Sequence, residues 1–196
     1  MTQGGRETEI KLSVPGVDAG RALLRRAGFG VSRRRVFEVN IAFDTDARAI
    51  GGADCLLRIR SAGRRATLTF KGAPTFDKHK SREELELVIS APKTLESIFE
   101  RLGLKPVFRY EKYRTEFVLG EGAAMLDETP IGVFVELEGP PEWIDRMAAA
   151  MGYPQERYIT ASYGALYVEL CRRFGEKPGN MVFEKTEPQA QTHSKA

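Results

Sequence analysis

Charged residues recur at every second position in one segment after another of this 196-residue chain. The first such run is Glu7, Glu9 and Lys11. In a strand, successive side chains point to opposite faces, so these three share one face while Thr8, Ile10 and Leu12 share the other. The pattern returns at Arg58 and Arg60, at Lys71, at Arg82, Glu84 and Glu86, at Lys112 and Arg114, at Asp127, and at Glu136 and Glu138. One such strand is an ordinary half-exposed strand. A whole series is different, because the opposite positions (Ile10, Leu57, Ile59, Leu68, Phe70, Leu85, Leu87, Val135 and Leu137) are too apolar to face water. The geometry that satisfies both faces is a closed barrel with a charged interior and an apolar exterior covered by helices. About eight strands enclose enough room for side chains or one small ligand.

The expected architecture is therefore α+β: an eight-stranded antiparallel β-barrel, or tunnel, with helices packed outside. Strands are expected near 6–14, 35–44, 54–61, 65–72, 82–90, 107–119, 122–127 and 132–139. Helical spacing predicts helices over Val17–Gly28, Thr94–Leu102, Pro141–Met151 and Thr160–Phe174, with Thr94 as an N-cap and Gly28 and Gly103 as stops. Gly72–Ser81 is expected to be a solvated loop, with cover over a tunnel mouth as the alternative. Residues 1–175 would form one domain, and the polar stretch 176–196 a disordered tail.

Composition limits the partners. A formal net charge of +3 does not by itself call for nucleic acid, and no run of about 20 apolar residues is present to span a membrane. Cys55 and Cys171 sit in neither a metal nor a redox spacing and are expected to pack. Met1–Glu9 lacks the apolar core of a secretion signal, so a cytoplasmic location is expected. His79, in the polar loop, and His193, in the tail, are expected to be solvated. Trp143 and Tyr110 are expected to pack, with stacking on a base as the alternative.

Taken in order, Glu7-x-Glu9-x-Lys11, Arg58/Arg60, Lys71, Arg82 with Glu84/Glu86, Lys112/Arg114, Asp127 and Glu136-x-Glu138 resemble the CYTH family of class IV adenylate cyclases and thiamine triphosphatases, also called triphosphate tunnel metalloenzymes. The resemblance runs over roughly residues 6–174. It implies a triphosphate substrate and a divalent cation, Mg²⁺ or Mn²⁺. Arg58, Arg60, Lys71, Arg82, Lys112 and Arg114 would bind the phosphates, since arginine offers paired donors and lysine a point charge. Glu7, Glu9, Glu136 and Glu138 would hold the metal, which prefers hard oxygen ligands. Lys11, Glu84, Glu86 and Asp127 are the expected catalytic residues, positioning water or orienting the bases. Ser162-Tyr163 sits where members often carry a Ser-Tyr on the last helix, with packing expected for Tyr163.

The same residues as simple salt bridges would stabilise poorly, because buried ion pairs are costly to desolvate. Three functions are weighed. The first is metal-dependent hydrolysis of inorganic triphosphate, thiamine triphosphate or a nucleoside triphosphate. The second is conversion of ATP to cyclic AMP and pyrophosphate, as in class IV adenylate cyclases. The His-Phe pair those members carry near the N-terminus is missing here. The third is a non-catalytic triphosphate- or polyphosphate-binding module, which would need the bases but not all the acids. General nucleic-acid binding is disfavoured because the bases face inward, and a homodimer is left open.

Overall fold

The computed structural model describes residues 3–184. Its strands are β1 (Gln3–Val14), β2 (Gly30–Asp44), β3 (Leu56–Ala62), β4 (Arg65–Lys71), β5 (Thr75–Phe76), β6 (Lys80–Ile89), β7 (Lys105–Leu119), β8 (Gly122–Thr129) and β9 (Gly132–Glu138). Its helices are α1 (Val17–Arg26), α2 (Pro92–Arg101), α3 (Pro141–Ala150) and α4 (Tyr163–Phe174).

The strands run in the order β1-β9-β8-β7-β2-β3-β4-β6, and β6 pairs back onto β1. Every ladder among them is antiparallel. The short β5 pairs only with β6, so eight of the nine strands close the ring. This is the expected barrel.

The hydrophobic core lies outside it. Ile10, Leu12, Leu126, Val135 and Leu137 turn their apolar faces outward against Leu24 of α1 and Trp143, Ile144 and Ala148 of α3. A second cluster packs Phe99 of α2 against Phe43 and Ile59 of β2 and β3. The coverage is incomplete, because Leu85 and Leu87 on the outer face of β6 are exposed.

Several local expectations need correcting. α2 begins two residues earlier than expected, at Pro92, and Ala91 rather than Thr94 takes the N-cap position. Proline is pre-set for the first helical turn, so it outweighs the hydroxyl two residues on. α4 begins at Tyr163, where the Ser162 hydroxyl accepts a hydrogen bond from the Ala165 amide. His79 is buried rather than solvated, and its Nε2 lies 2.9 Å from Asp145 Oδ1 on α3.

Part of the stretch expected as a tail packs on the barrel. β8 pairs with β7 only as far as Tyr113, so the β7 edge beyond it is free on that side. Met181 takes that edge. Its amide donates to the Arg109 carbonyl and its carbonyl accepts from the Glu111 amide. Its side chain is buried beside Tyr110, Phe134 and Tyr163. Residues 185–196 of the expected tail, including His193, lie outside the described residues. Among the described residues no helix is long and apolar enough to cross a membrane.

Candidate active site

A cavity of about 860 Å³ runs through the barrel. Alternation on each strand decides its lining. Of the fourteen charged residues singled out in the sequence, thirteen line it: Glu7, Glu9, Lys11, Arg58, Arg60, Lys71, Arg82, Glu84, Glu86, Lys112, Arg114, Glu136 and Glu138. Asp127 is the exception. It lies on the inward face of β8 but is fully buried beneath its partners, accepting from Lys112 (2.8 Å), from Arg114 (2.7 and 2.6 Å) and from the Tyr163 hydroxyl (2.8 Å).

Most of these charges are paired. Lys11 lies between Glu9 (3.2 Å) and Glu136 (3.3 Å). Lys71 bridges Glu7 (2.5 Å) and Glu84 (2.9 Å). Arg114 joins Asp127 to Glu136. Burial works against ionising Glu9 and Glu136, but the surrounding lysines and Arg114 outweigh it and hold both carboxyls well below the usual range.

The exceptions define the site. On β3, Arg58 has no carboxylate within ion-pair distance among the described residues. Its guanidinium donates to the Tyr110 hydroxyl (3.0 Å) and to Thr69 Oγ1 (3.2 Å), and that hydroxyl donates in turn to Glu86 (3.2 Å). Among the described residues, Arg60 approaches only Glu38, at 3.9 Å, and Arg82 only Glu7, at 3.7 Å. On β9, Glu138 has no cation partner among the described residues. Burial, helped by Glu7 and Glu136, pushes its carboxyl up to about 7. Burial also raises Glu7, with Glu9 and Glu84 adding to the effect against Lys71. In the ring order three strands separate β9 from β3 in either direction, so uncommitted arginines stand across the lumen from an acidic edge.

That edge fits a divalent cation. Its donors are hard carboxylate oxygens, and two of them, Glu7 and Glu138, are raised chiefly by burial, so that a bound cation would favour their ionised form. Among the described residues no three ligands already converge into a metal cluster. Water or a phosphate oxygen would complete the shell, as Mg²⁺ commonly requires.

Sequence reasoning missed several residues here. Glu38 and Asn40 on β2 are fully buried and face inward between β7 and β3. Lys80 lines the cavity and donates to Glu9 at 2.8 Å. Its signal was legible, because Lys80-x-Arg82-x-Glu84-x-Glu86 extends the charged alternation by one step. Tyr110 belongs to the cavity wall rather than to a packing surface alone. Tyr163 both packs against Phe134 and reaches the lumen, with the ammonium groups of Lys11 and Lys112 at 5.3 and 5.2 Å from its ring centre. The cavity also has an apolar stretch at Ala42, Leu56 and Phe108, where Phe108 stacks on Tyr110.

Comparison with known proteins agrees with this arrangement. The CYTH domain model matches residues 5–152. A Methanocaldococcus jannaschii protein named as a candidate adenylate cyclase is 32% identical over 134 residues, covering 67% of this chain and 75% of that protein. Among solved structures, a Pyrococcus horikoshii protein superposes with a TM-score of 0.69 at 25% identity, covering 84% of this chain and 99% of its own. A Hippeastrum protein, described as a candidate adenylyl cyclase with a dominant triphosphatase activity, shares the fold at a TM-score of 0.60 and 21% identity, covering 88% of this chain and 97% of its own. With its ordered charged strands, closed barrel and matching domain, this chain belongs to the CYTH family.

Proposed function

We propose that this chain is a divalent-metal-dependent hydrolase of triphosphate compounds. The observation that carries the reading is the opposition of uncommitted Arg58 and Arg60 on β3 to the unpaired Glu138 on β9 across one lumen, with Arg82 on the β6 wall between them. A fold built only for stability would pair those groups or replace them with apolar ones.

In this reading Arg58, Arg60 and Arg82 grip phosphate oxygens, with Lys71, Lys112 and Arg114 supplying further positive charge. Glu7, Glu9, Glu136 and Glu138 hold the cation, Mg²⁺ or Mn²⁺. Bound there, it supplies Lewis-acid stabilisation of charge on the phosphate oxygens. Glu84, Glu86 and Asp127 orient bases: Glu84 through Lys71, Glu86 through Thr69 to Arg58, and Asp127 through Lys112 and Arg114. Lys11 keeps Glu9 and Glu136 ionised. Water attacks the terminal phosphorus and gives up a proton to solvent, the bond to the bridging oxygen breaks with its electron pair staying on the diphosphate portion, and orthophosphate and the diphosphate product are released. Such transfer depends mainly on positioning and charge stabilisation, which a rigid charged tunnel supplies.

A second reading, cyclisation of ATP with release of pyrophosphate, is favoured by the name of the Methanocaldococcus jannaschii relative. The apolar stretch at Ala42, Leu56 and Phe108 would suit an organic group under either reading.

Product analysis separates them. Purified protein is given ATP, tripolyphosphate or thiamine triphosphate, each with Mg²⁺, Mn²⁺ or EDTA. Metal-dependent orthophosphate without cyclic nucleotide is the expected result. Cyclic AMP with pyrophosphate would establish the cyclase instead, and binding without any turnover would leave a triphosphate-binding module.

A further inference from the structure

Among the described residues, most of the buried polar atoms without a hydrogen-bond partner lie on three adjacent strands, with Arg82 Nε and Thr115 Oγ1 elsewhere. They include both carboxylate oxygens of Glu38, both amide atoms of Asn40, Nε of Arg58 and Arg60, and Thr67 Oγ1. The ladders place them side by side. Asn40 lies opposite Arg60, Arg60 opposite Thr67, and Glu38 opposite Lys112.

Glu38 is the unusual member. Its side chain is completely buried, and Oε2 lies 3.9 Å from both Arg60 Nε and Lys112 Nζ, beyond hydrogen-bond distance from either. A buried carboxylate without hydrogen bonds is expensive. Burial works against its charge, yet Lys112, Arg114, Arg60 and Arg58 hold it down to about 2. Burial and the adjacent Arg58 in turn pull Arg60 below its usual range, and Glu38 is the carboxylate that opposes them. So Glu38 is a counter-ion shared by two cations that takes no hydrogen bond from either, leaving Arg60 Nε and the N–H groups of Lys112 not used by Asp127 uncommitted. Asp127 does the opposite, tying up Lys112 and Arg114 in short bonds.

We propose that Glu38 is a positioning residue, holding Arg60 and Lys112 toward the lumen without itself occupying their donors, so that Arg60 and the N–H groups of Lys112 that Asp127 does not take can meet substrate phosphates. This rests on the triphosphate reading above. It differs from simple electrostatics in its prediction for turnover. If Glu38 were only a nearby negative charge, removing it would strengthen anion binding and leave turnover alone. If it positions the two cations, ground-state binding of a flexible polyanion survives its loss but transition-state geometry does not.

The test compares wild type, Glu38→Gln, Glu38→Asp, Arg60→Gln and the Glu38→Gln/Arg60→Gln double variant, all in the full chain. Tripolyphosphate affinity is measured by calorimetry in EDTA, and kcat and KM with Mg²⁺. The expected result is a kcat for Glu38→Gln at least about tenfold lower, with affinity unchanged or tighter, and partial recovery in Glu38→Asp. In the Arg60→Gln background, adding Glu38→Gln should cost little more. Unchanged kcat in Glu38→Gln, or additive losses in the double variant, would overturn the proposal. Should Glu38→Gln fail to fold, the double variant, which removes both buried charges, is compared with Arg60→Gln alone, and equal kcat is then the supporting result. Should wild type hydrolyse no triphosphate, the functional reading fails separately. The Glu38–Arg60 coupling is then read from thermal stability of the single and double variants, where additivity would sink it.

Discussion

Glu9 and Glu138 face each other across the β1–β9 ladder, and only Glu9 holds cations. It accepts from Lys80 at 2.8 Å and Lys11 at 3.2 Å. Glu138 has no cation partner among the described residues, and burial, helped by the charges of Glu7 and Glu136, raises its carboxyl to about 7. Two like residues in one register pair therefore titrate in different pH ranges.

The first prediction follows from that difference. In the unfolded chain Glu138 titrates near 4.5, and in the folded one near 7. The folded state binds the proton more tightly, so this contribution is fully present below about 4.5 and is lost as pH rises through about 7. In EDTA, this group should lower Tm from about pH 5 to about pH 8. Glu138→Gln should flatten that slope and melt higher at the alkaline end. Mg²⁺ should raise wild-type Tm more at about pH 8 than at about pH 6, because a ligating carboxylate must first lose its proton. A Glu138→Gln protein that kept the wild-type slope in thermal melts would place the titration elsewhere.

Arg58 gives a second prediction, on affinity. It is aimed by the Tyr110 hydroxyl and by the Thr69–Glu86 relay rather than by a salt bridge. A hydrogen bond to a charged group contributes about 1.5–3 kcal/mol. Arg58→Ala should therefore weaken tripolyphosphate binding by about ten- to a hundredfold. Tyr110→Phe keeps the guanidinium and loses only one orienting contact, so it should cost about 1 kcal/mol. Calorimetric titration checks both, and equal losses in the two variants would show that Tyr110 does more than aim.

Much of this site could be read directly from the chain, because a period of two sorts charge from apolarity whenever both faces are strongly marked. Glu7, Arg58, Arg82 and Glu136 all announce themselves that way. Glu38 and Asn40 do not, since their face of β2 runs on to Ala42 without a repeated charge. What puts them inside is β2's pairing with β7 and β3, a long-range fact. His79 escaped for a similar reason. Its loop is polar, and only the arrival of Asp145 from α3 gives the imidazole a buried partner. Pairing among the lumen charges was also illegible. Sequence spacing assigns Asp127 to the charged face, but three donors close around it and withdraw it from the cavity.

A stability prediction comes from Gly122, at the start of β8. A Cβ there would lie 2.5 Å from Trp143 Cζ3, inside contact distance. Trp143 cannot easily retreat, because it is buried against Phe29 and its indole N–H donates to the Leu119 carbonyl at 3.1 Å. Gly122→Ala should cost about 1–3 kcal/mol by overpacking. Chemical denaturation measures it, and an unchanged midpoint would mean that α3 can shift outward freely.

Met181 couples the segment after α4 to the same lumen. Its backbone completes the free edge of β7 through Arg109 and Glu111, and its side chain packs on Tyr110. Tyr110 in turn aims Arg58. Truncating a buried methionine to alanine costs about 2–5 kcal/mol through lost burial and the cavity left behind. Met181→Ala should therefore lower stability by about that amount, and it should also weaken tripolyphosphate binding, although Met181 does not itself line the cavity. Two readouts separate the possibilities. Loss of stability with unchanged affinity would make the segment a simple brace. Loss of both, with no further loss of affinity when Tyr110→Phe is added, would show that Met181 acts on the phosphate site through the tyrosine.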